Sequence, residues 1–121
     1  MKKNLIGRTN LSISELGIGT APIGGWPKSL EEKKALETLE TAWKSGIRYF
    51  DTAPFYGYGM AEERLGKFLK NKDRDEYVIS TKVGRIIIDS ESNSTFEPFF
   101  KGAPKREPYF ENGKCNPKSI Y

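Results

Sequence analysis

Three residues carry groups able to move a proton in a shared place: Asp51, Tyr56 and Lys82. Asp51 ends the apolar run Ile47-Arg-Tyr-Phe50 and leads into Thr-Ala-Pro-Phe-Tyr56-Gly57, so a turn through Pro54 presents a tyrosine beyond that run. Lys82 closes the next apolar run, Tyr77-Val-Ile-Ser-Thr-Lys82, in what reads as the equivalent position. Parallel α/β proteins keep their chemistry beyond the carboxyl ends of their strands, which would gather a carboxylate, a phenol and an ammonium on one rim. Singly, such residues are more often a turn cap, a packed ring and a solvated end. Their coincidence on consecutive strands points to a site. A phenol with an ordinary pKa of about 10 is a poor acid-base group at neutral pH. An ammonium about 4 Å away, at an effective dielectric near 20, is worth about 4 kcal/mol, or roughly three pKa units before desolvation. Lys82 is the candidate for that tuning, with Asp51 holding it charged and aimed. The chain has no histidine, so the commonest acid-base group is not available here.

The elements that must position these groups follow a repeat. Leu16, Ile47 and Val78 are each 31 residues apart, with one amphipathic helical pattern in each gap. The first strand is expected over Glu15-Leu-Gly-Ile-Gly-Thr20, followed by a Pro- and Gly-rich loop to Lys28. Ser29-Leu-Glu-Glu32 has the form of a capping box opening a helix on Ala35, Leu36, Leu39, Ala42 and Trp43, with Gly46 as its C-terminal stop. Ala61, Leu65, Phe68 and Leu69 mark the second helix, and close packing against the sheet would justify Gly66 inside it. Asn4 to Ser14 reads as a small hairpin, a plug or an edge. A β-α repeat requires a parallel sheet, in an open doubly wound fold or a closed barrel. From residue 86 the repeat stops, and 86–121 reads as a long loop or disordered tail carrying Pro98, Pro104, Pro108 and Pro117. The sequence therefore reads as truncated.

Composition excludes several classes. With 121 residues, 36% hydrophobic and 30% charged, the chain is expected to be one globular domain. The net charge is +4 and the pI about 9.1, but acids and bases alternate and no basic run interleaves with aromatics, which argues against nucleic acid as a partner. Met1-Lys2-Lys3 leads into a polar stretch and no apolar run has membrane-spanning length, so no membrane association is expected and the cytoplasm is the default location. Cys115, the single cysteine, has no cysteine or histidine partner for a disulfide or a metal site. Gly17-Ile-Gly19 near a strand falls short of a dinucleotide fingerprint, because the third glycine position is Pro22 and no helix begins before Ser29. Those glycines read as close packing near a strand end that could also admit a cofactor ring. Arg85 and the triplet Asn93-Ser-Thr95 are left without a role.

Three segments together resemble the aldo-keto reductases: Glu15-Leu-Gly-Ile-Gly-Thr-Ala-Pro-Ile-Gly-Gly25; Gly46 to Gly57 with Ala61-Glu-Glu-Arg-Leu-Gly66 behind it; and Ser80-Thr-Lys-Val-Gly-Arg85. The resemblance spans about residues 4 to 85 and lies nearest the branch that oxidises aldose sugars and pyridoxal. It implies an α/β fold, part of a (β/α)8 TIM barrel, comprising the hairpin and about three β-α units. It also implies an NAD(P)-linked oxidoreductase acting on a small-molecule carbonyl or sugar substrate. Three of the family's four catalytic groups then fall on Asp51, Tyr56 and Lys82, and the histidine that completes the set has no counterpart. The nicotinamide side of the cofactor, NADP or NAD, falls on Gly19, Thr20, Ala21 and Asp51. A complete barrel needs about 250 residues, so these residues alone are expected to be inactive, to bind NAD(P) weakly and to self-associate through open sheet edges. A non-catalytic binding or regulatory module on the same fold is the alternative. A sugar-phosphate isomerase or aldolase barrel would leave Tyr56 beside Lys82 unexplained.

Overall fold

The computed structural model describes residues 1–83, 87–89, 106–108, 110–111 and 114–115. A hairpin of β1 (Lys3–Leu5) and β2 (Ser12–Ser14) opens the chain, paired antiparallel with Leu5 opposite Ser12. Gly7, at φ 53, turns the hairpin. Ser14 then ties it to the sheet: its hydroxyl donates to the Leu16 carbonyl and accepts the Arg48 backbone N–H.

The sheet consists of β3 (Ile18–Gly19), β4 (Tyr49–Asp51) and β5 (Val78–Ser80), all parallel, with β4 central. Helix α1 (Glu32–Lys44) connects the first pair and α2 (Met60–Leu69) the second, which gives the expected two β-α-β units. Each strand is shorter than its apolar run. In consequence Lys82 is not a strand-end residue: the position in register with Asp51 is Gly19 on β3 and Ser80 on β5, and Lys82 lies two residues further on.

Helix α1 buries Ala35, Leu39 and Ala42, as their spacing requires. Its start departs from the expected capping box. Helical geometry begins at Glu32, and Glu31 is still extended (φ −64°, ψ 144°) with no side-chain cap. The reason is tertiary: the Leu30 carbonyl accepts a hydrogen bond from Arg64, and Leu30 packs against the core, so the chain is held out of the helix there. The other end follows expectation. Gly46, at φ 89, donates to the Trp43 carbonyl and Ile47 donates to Ala42, which caps the last turn in the Schellman arrangement.

Phe50, fully buried, is the centre of the core on the helix-covered face. Trp43, Phe68 and Tyr77 surround its ring at centroid distances of 6.4 Å each, with Leu39, Ala61, Leu65 and Leu69 packed beside them. Gly66 is not in this core. It is solvent-exposed, and a methyl group there would meet nothing within 4 Å, so close packing does not explain it. Nothing in the structure explains this glycine.

Within 86–121, β6 (Ile87–Asp89) pairs antiparallel with β7 (Arg106–Pro108), and β8 (Phe110–Glu111) with β9 (Lys114–Cys115). Most of 86–121, read from sequence as a long loop or disordered tail, lies outside the described residues. Arg85, Asn93-Ser-Thr95, Pro98, Pro104 and Pro117 lie outside the described residues.

Candidate active site

The carboxyl ends of β4 and β5 bring Asp51 and Lys82 together. Lys82 Nζ donates to Asp51 Oδ2 at 2.9 Å and to the Thr52 carbonyl at 3.0 Å, reaching back from beyond the strand end. Both side chains remain substantially exposed, 41% for Asp51 and 51% for Lys82. Ser80, in register beside Asp51, donates to its other oxygen, Oδ1, at 2.7 Å. The hydrogen bond from Ser80, and then that from Lys82, hold the Asp51 carboxyl below its ordinary range, with desolvation opposing them. Lys82 is raised above the ordinary lysine value, foremost by its hydrogen bond to Asp51; desolvation opposes this, and the Tyr56 oxygen adds to it. The pair is thus a carboxylate and an ammonium throughout the neutral range.

Tyr56 joins them from the loop after β4. Lys82 Nζ lies 5.0 Å from the centroid of its ring. The loop is positioned by a backbone contact between two glycines. Gly57 is at φ 65, and a Cβ there would collide with the Gly24 carbonyl; a Cβ on Gly24 would stand 2.8 Å from the Tyr56 carbonyl carbon and oxygen. Only residues without side chains let the loop after β3 and the loop after β4 touch this closely. Arg64 of α2 secures the same region from behind. It is 7% exposed and donates to the carbonyls of Ile23 and Leu30, joining the second helix to the loop after β3 and to the lead-in of the first helix.

The residues expected on the cofactor side divide. Gly19 stands in register with Asp51, is exposed and faces open space. Thr20 donates its backbone N–H to the Asp51 carbonyl and is fully buried, and its hydroxyl has no hydrogen-bond partner among the described residues. Thr52, next to Asp51, is in the same condition. The open backbone position at Gly19 beside the carboxylate leaves room for a flat polar ring, whereas the hydroxyls of Thr20 and Thr52 are enclosed by protein. Ala21 instead uses its carbonyl inside the turn, accepting from Gly24 and Trp26, and is not joined to the Asp51–Lys82 pair.

Ser80, Tyr49, Arg64 and the Gly24–Gly57 contact escaped the sequence reading. The first two had a legible signal: counting back two residues from Lys82, rather than aligning strand ends, places Ser80 beside Asp51, and Tyr49, two residues before Asp51 on the same strand, shares its face. The other two had none, because both depend on contacts between segments far apart in sequence. Among the described residues no cluster could hold a metal ion, and no helix is long and apolar enough to cross a membrane.

Comparison with known proteins shows the family. The model of the Aldo/keto reductase family matches residues 15–106. Pyridoxal 4-dehydrogenase of Microbacterium luteolum is 45% identical over 107 residues, covering 88% of this chain and 30% of the relative. D-threo-aldose 1-dehydrogenase of a Pseudomonas species is 52% identical over 77 residues, covering 64% of this chain and 23% of the relative. Among solved structures, aldo-keto reductase AKR11C1 from Bacillus halodurans, in its holo form, superposes with a TM-score of 0.64 at 35% identity, covering 78% of this chain and 29% of that one. The chain thus spans less than a third of the length of each of these relatives.

Proposed function

This chain belongs to the aldo/keto reductase family of oxidoreductase enzymes, its fold is part of their (β/α)8 barrel, and we propose that it supplies the proton-transfer wall of an NAD(P)-linked carbonyl reductase or alcohol dehydrogenase. The observation that carries this reading is the ammonium of Lys82 held between the Asp51 carboxylate and the Tyr56 ring. The names of the two curated relatives support a sugar aldose or a pyridoxal-like aldehyde or alcohol as the substrate class.

The cofactor, when bound, accepts or delivers the hydride. Gly19, Thr20 and Asp51 are the residues that would hold its ring. The chain's own residues handle the proton. Tyr56 protonates the developing alkoxide during reduction, and in the oxidative direction its phenolate takes the proton of the alcohol. Lys82 places its positive charge beside the Tyr56 ring, where the proton is moved. Asp51 acts on Lys82: it keeps the ammonium charged and, with the Thr52 carbonyl, fixes where Nζ sits. The reaction site is completed by the length of barrel that this chain does not span, and turnover by these 121 residues alone is expected to be slight.

The test is Tyr56→Phe, made in this chain joined to the remaining length of the pyridoxal 4-dehydrogenase relative. The variant should lower kcat for alcohol oxidation by about two to four orders of magnitude while cofactor affinity, measured by fluorescence, stays nearly unchanged. Retention of more than about a tenth of the parent kcat, with chemistry shown to be rate-limiting, would assign the proton to another group.

A further inference from the structure

On the face of β4 opposite the helices, Tyr49 and Asp51 are i and i+2, and Ser80 of β5 stands between their polar ends. Tyr49 Oη lies 3.0 Å from Ser80 Oγ, and Ser80 Oγ lies 2.7 Å from Asp51 Oδ1. The direction of these bonds follows from proton counting. A serine hydroxyl has one proton, and an ionised carboxylate can only accept. Ser80 must therefore spend its proton on Asp51, which leaves Tyr49 as the donor of the first bond.

We propose that Tyr49 and Ser80 form a one-way hydroxyl relay, Tyr49 O–H to Ser80 O–H to Asp51 Oδ1, that orients the Asp51 carboxylate so that its second oxygen alone receives Lys82. Tyr49 and Ser80 are positioning residues. Their importance for turnover rests on the proposed function, but the relay itself does not. Successive hydroxyls donating in one direction polarise each other, so the bond reaching Asp51 is stronger than an isolated serine would make. Turning the carboxylate away from this orientation would break the bond from Ser80. The ammonium is then fixed by Asp51 Oδ2 and the Thr52 carbonyl on the side where Tyr56 lies.

Gly17 is the backbone accommodation for this relay. A Cβ at Gly17 would stand 2.5 Å from Tyr49 Cδ1 and 3.3 Å from Cε1, so the Tyr49 ring lies directly on the glycine backbone. A larger residue would push the ring, and with it the phenolic oxygen, away from its present place. Among the described residues the charged and titratable groups around Asp51 are few. Lys82 is on its Oδ2 side with Tyr56 beyond, and Tyr49 stands beyond Ser80; Gly19 of β3 brings none, and Glu62 of α2 is engaged by Thr81.

The experiment is a carbon-13 NMR titration of the Asp51 carboxyl in the 121-residue chain and in Ser80→Ala, Ser80→Thr, Tyr49→Phe and Gly17→Ala. Ser80→Ala should move the Asp51 midpoint upward by about half to one pH unit, because a hydrogen bond to the charged form is lost. Ser80→Thr, which keeps the hydroxyl, should restore the parent midpoint. Tyr49→Phe keeps the ring on Gly17, so it should fold, and it should move the midpoint in the same direction by a smaller amount. Gly17→Ala should resemble Tyr49→Phe. An Asp51 midpoint unchanged within about 0.2 pH unit in either Ser80→Ala or Tyr49→Phe would overturn the relay. A purely structural role would lower thermal stability without moving that midpoint. A shifted midpoint with no loss of turnover in Tyr56→Phe would instead sink the functional reading and leave the relay standing.

Discussion

Phe50 and Asp51 are neighbours in the chain and opposites in environment. The Phe50 side chain points into the helix-covered layer, fully buried among Trp43, Phe68 and Tyr77; that of Asp51 points to the other face, 41% exposed, with each of its oxygens in a separate hydrogen bond. Strand alternation alone produces this division. One face holds the sheet together by excluding water, and the other can remain polar and accessible because it is not required for that purpose. A residue on the second face is therefore free to be chosen for its chemistry. Ser80, Tyr49 and Asp51 share that face, whereas Ile79, in register with Phe50, belongs to the first and is the partly exposed edge of it.

The comparison is broken most severely at Phe50. Phe50→Ala should destabilise the chain by about 3–5 kcal/mol, the usual result of emptying a fully enclosed aromatic site. Denaturant unfolding followed by tryptophan fluorescence measures it through Trp43, which is stacked on Phe50. A loss below about 1 kcal/mol would show that the aromatic layer is not the stabilising face.

A smaller effect with the opposite sign is expected on α2. Gly66 is helical, exposed and unobstructed, so Gly66→Ala should stabilise the chain by about 0.5–1 kcal/mol through helix propensity and reduced unfolded-chain entropy. Chemical denaturation checks it. No change, or destabilisation, would mean that this position serves a contact outside the described residues.

The polar face should give the smallest stability effect. Asp51 has its pKa lowered from an ordinary value of 3.8, so its contribution is present above that value and lost as pH falls through the lower folded one. Lys82 has its pKa raised from 10.5, so its contribution is present below that value and lost as pH rises through the higher folded one. Stability from this pair should therefore be level across the neutral range. Because both groups are largely exposed, the total should stay below about 1 kcal/mol. Unfolding free energies of the parent and Asp51→Asn, compared at pH 7 and pH 3, check the acid limb. A difference between them of several kcal/mol at pH 7 would place the pair among the main stabilising contacts and erase the contrast with Phe50.

The sequence by itself determined the β-α repeat and most of its core. Helical periodicity at Ala35, Leu39 and Leu65 and a left-handed stop at Gly46 are local properties, and each is realised where it was expected, whereas the strands fall within the expected apolar runs but begin at Ile18, Tyr49 and Val78, which leaves Leu16 exposed ahead of the first of them. Asp51, Tyr56 and Lys82 were legible for the same reason, as polar groups placed just past apolar runs. Tertiary structure alone decided the register and the loop contacts. Strand pairing made Ser80, not Lys82, the counterpart of Asp51, and moved Lys82 into a loop from which it reaches back. Arg64 binds the Leu30 carbonyl just ahead of the first helix, which begins at Glu32 rather than after Ser29. Gly24 and Gly57 brought two loops into backbone contact across more than thirty residues of sequence. Propensity and periodicity act within a few residues, whereas these three features depend on which distant backbone or carbonyl group the folded chain brings within reach.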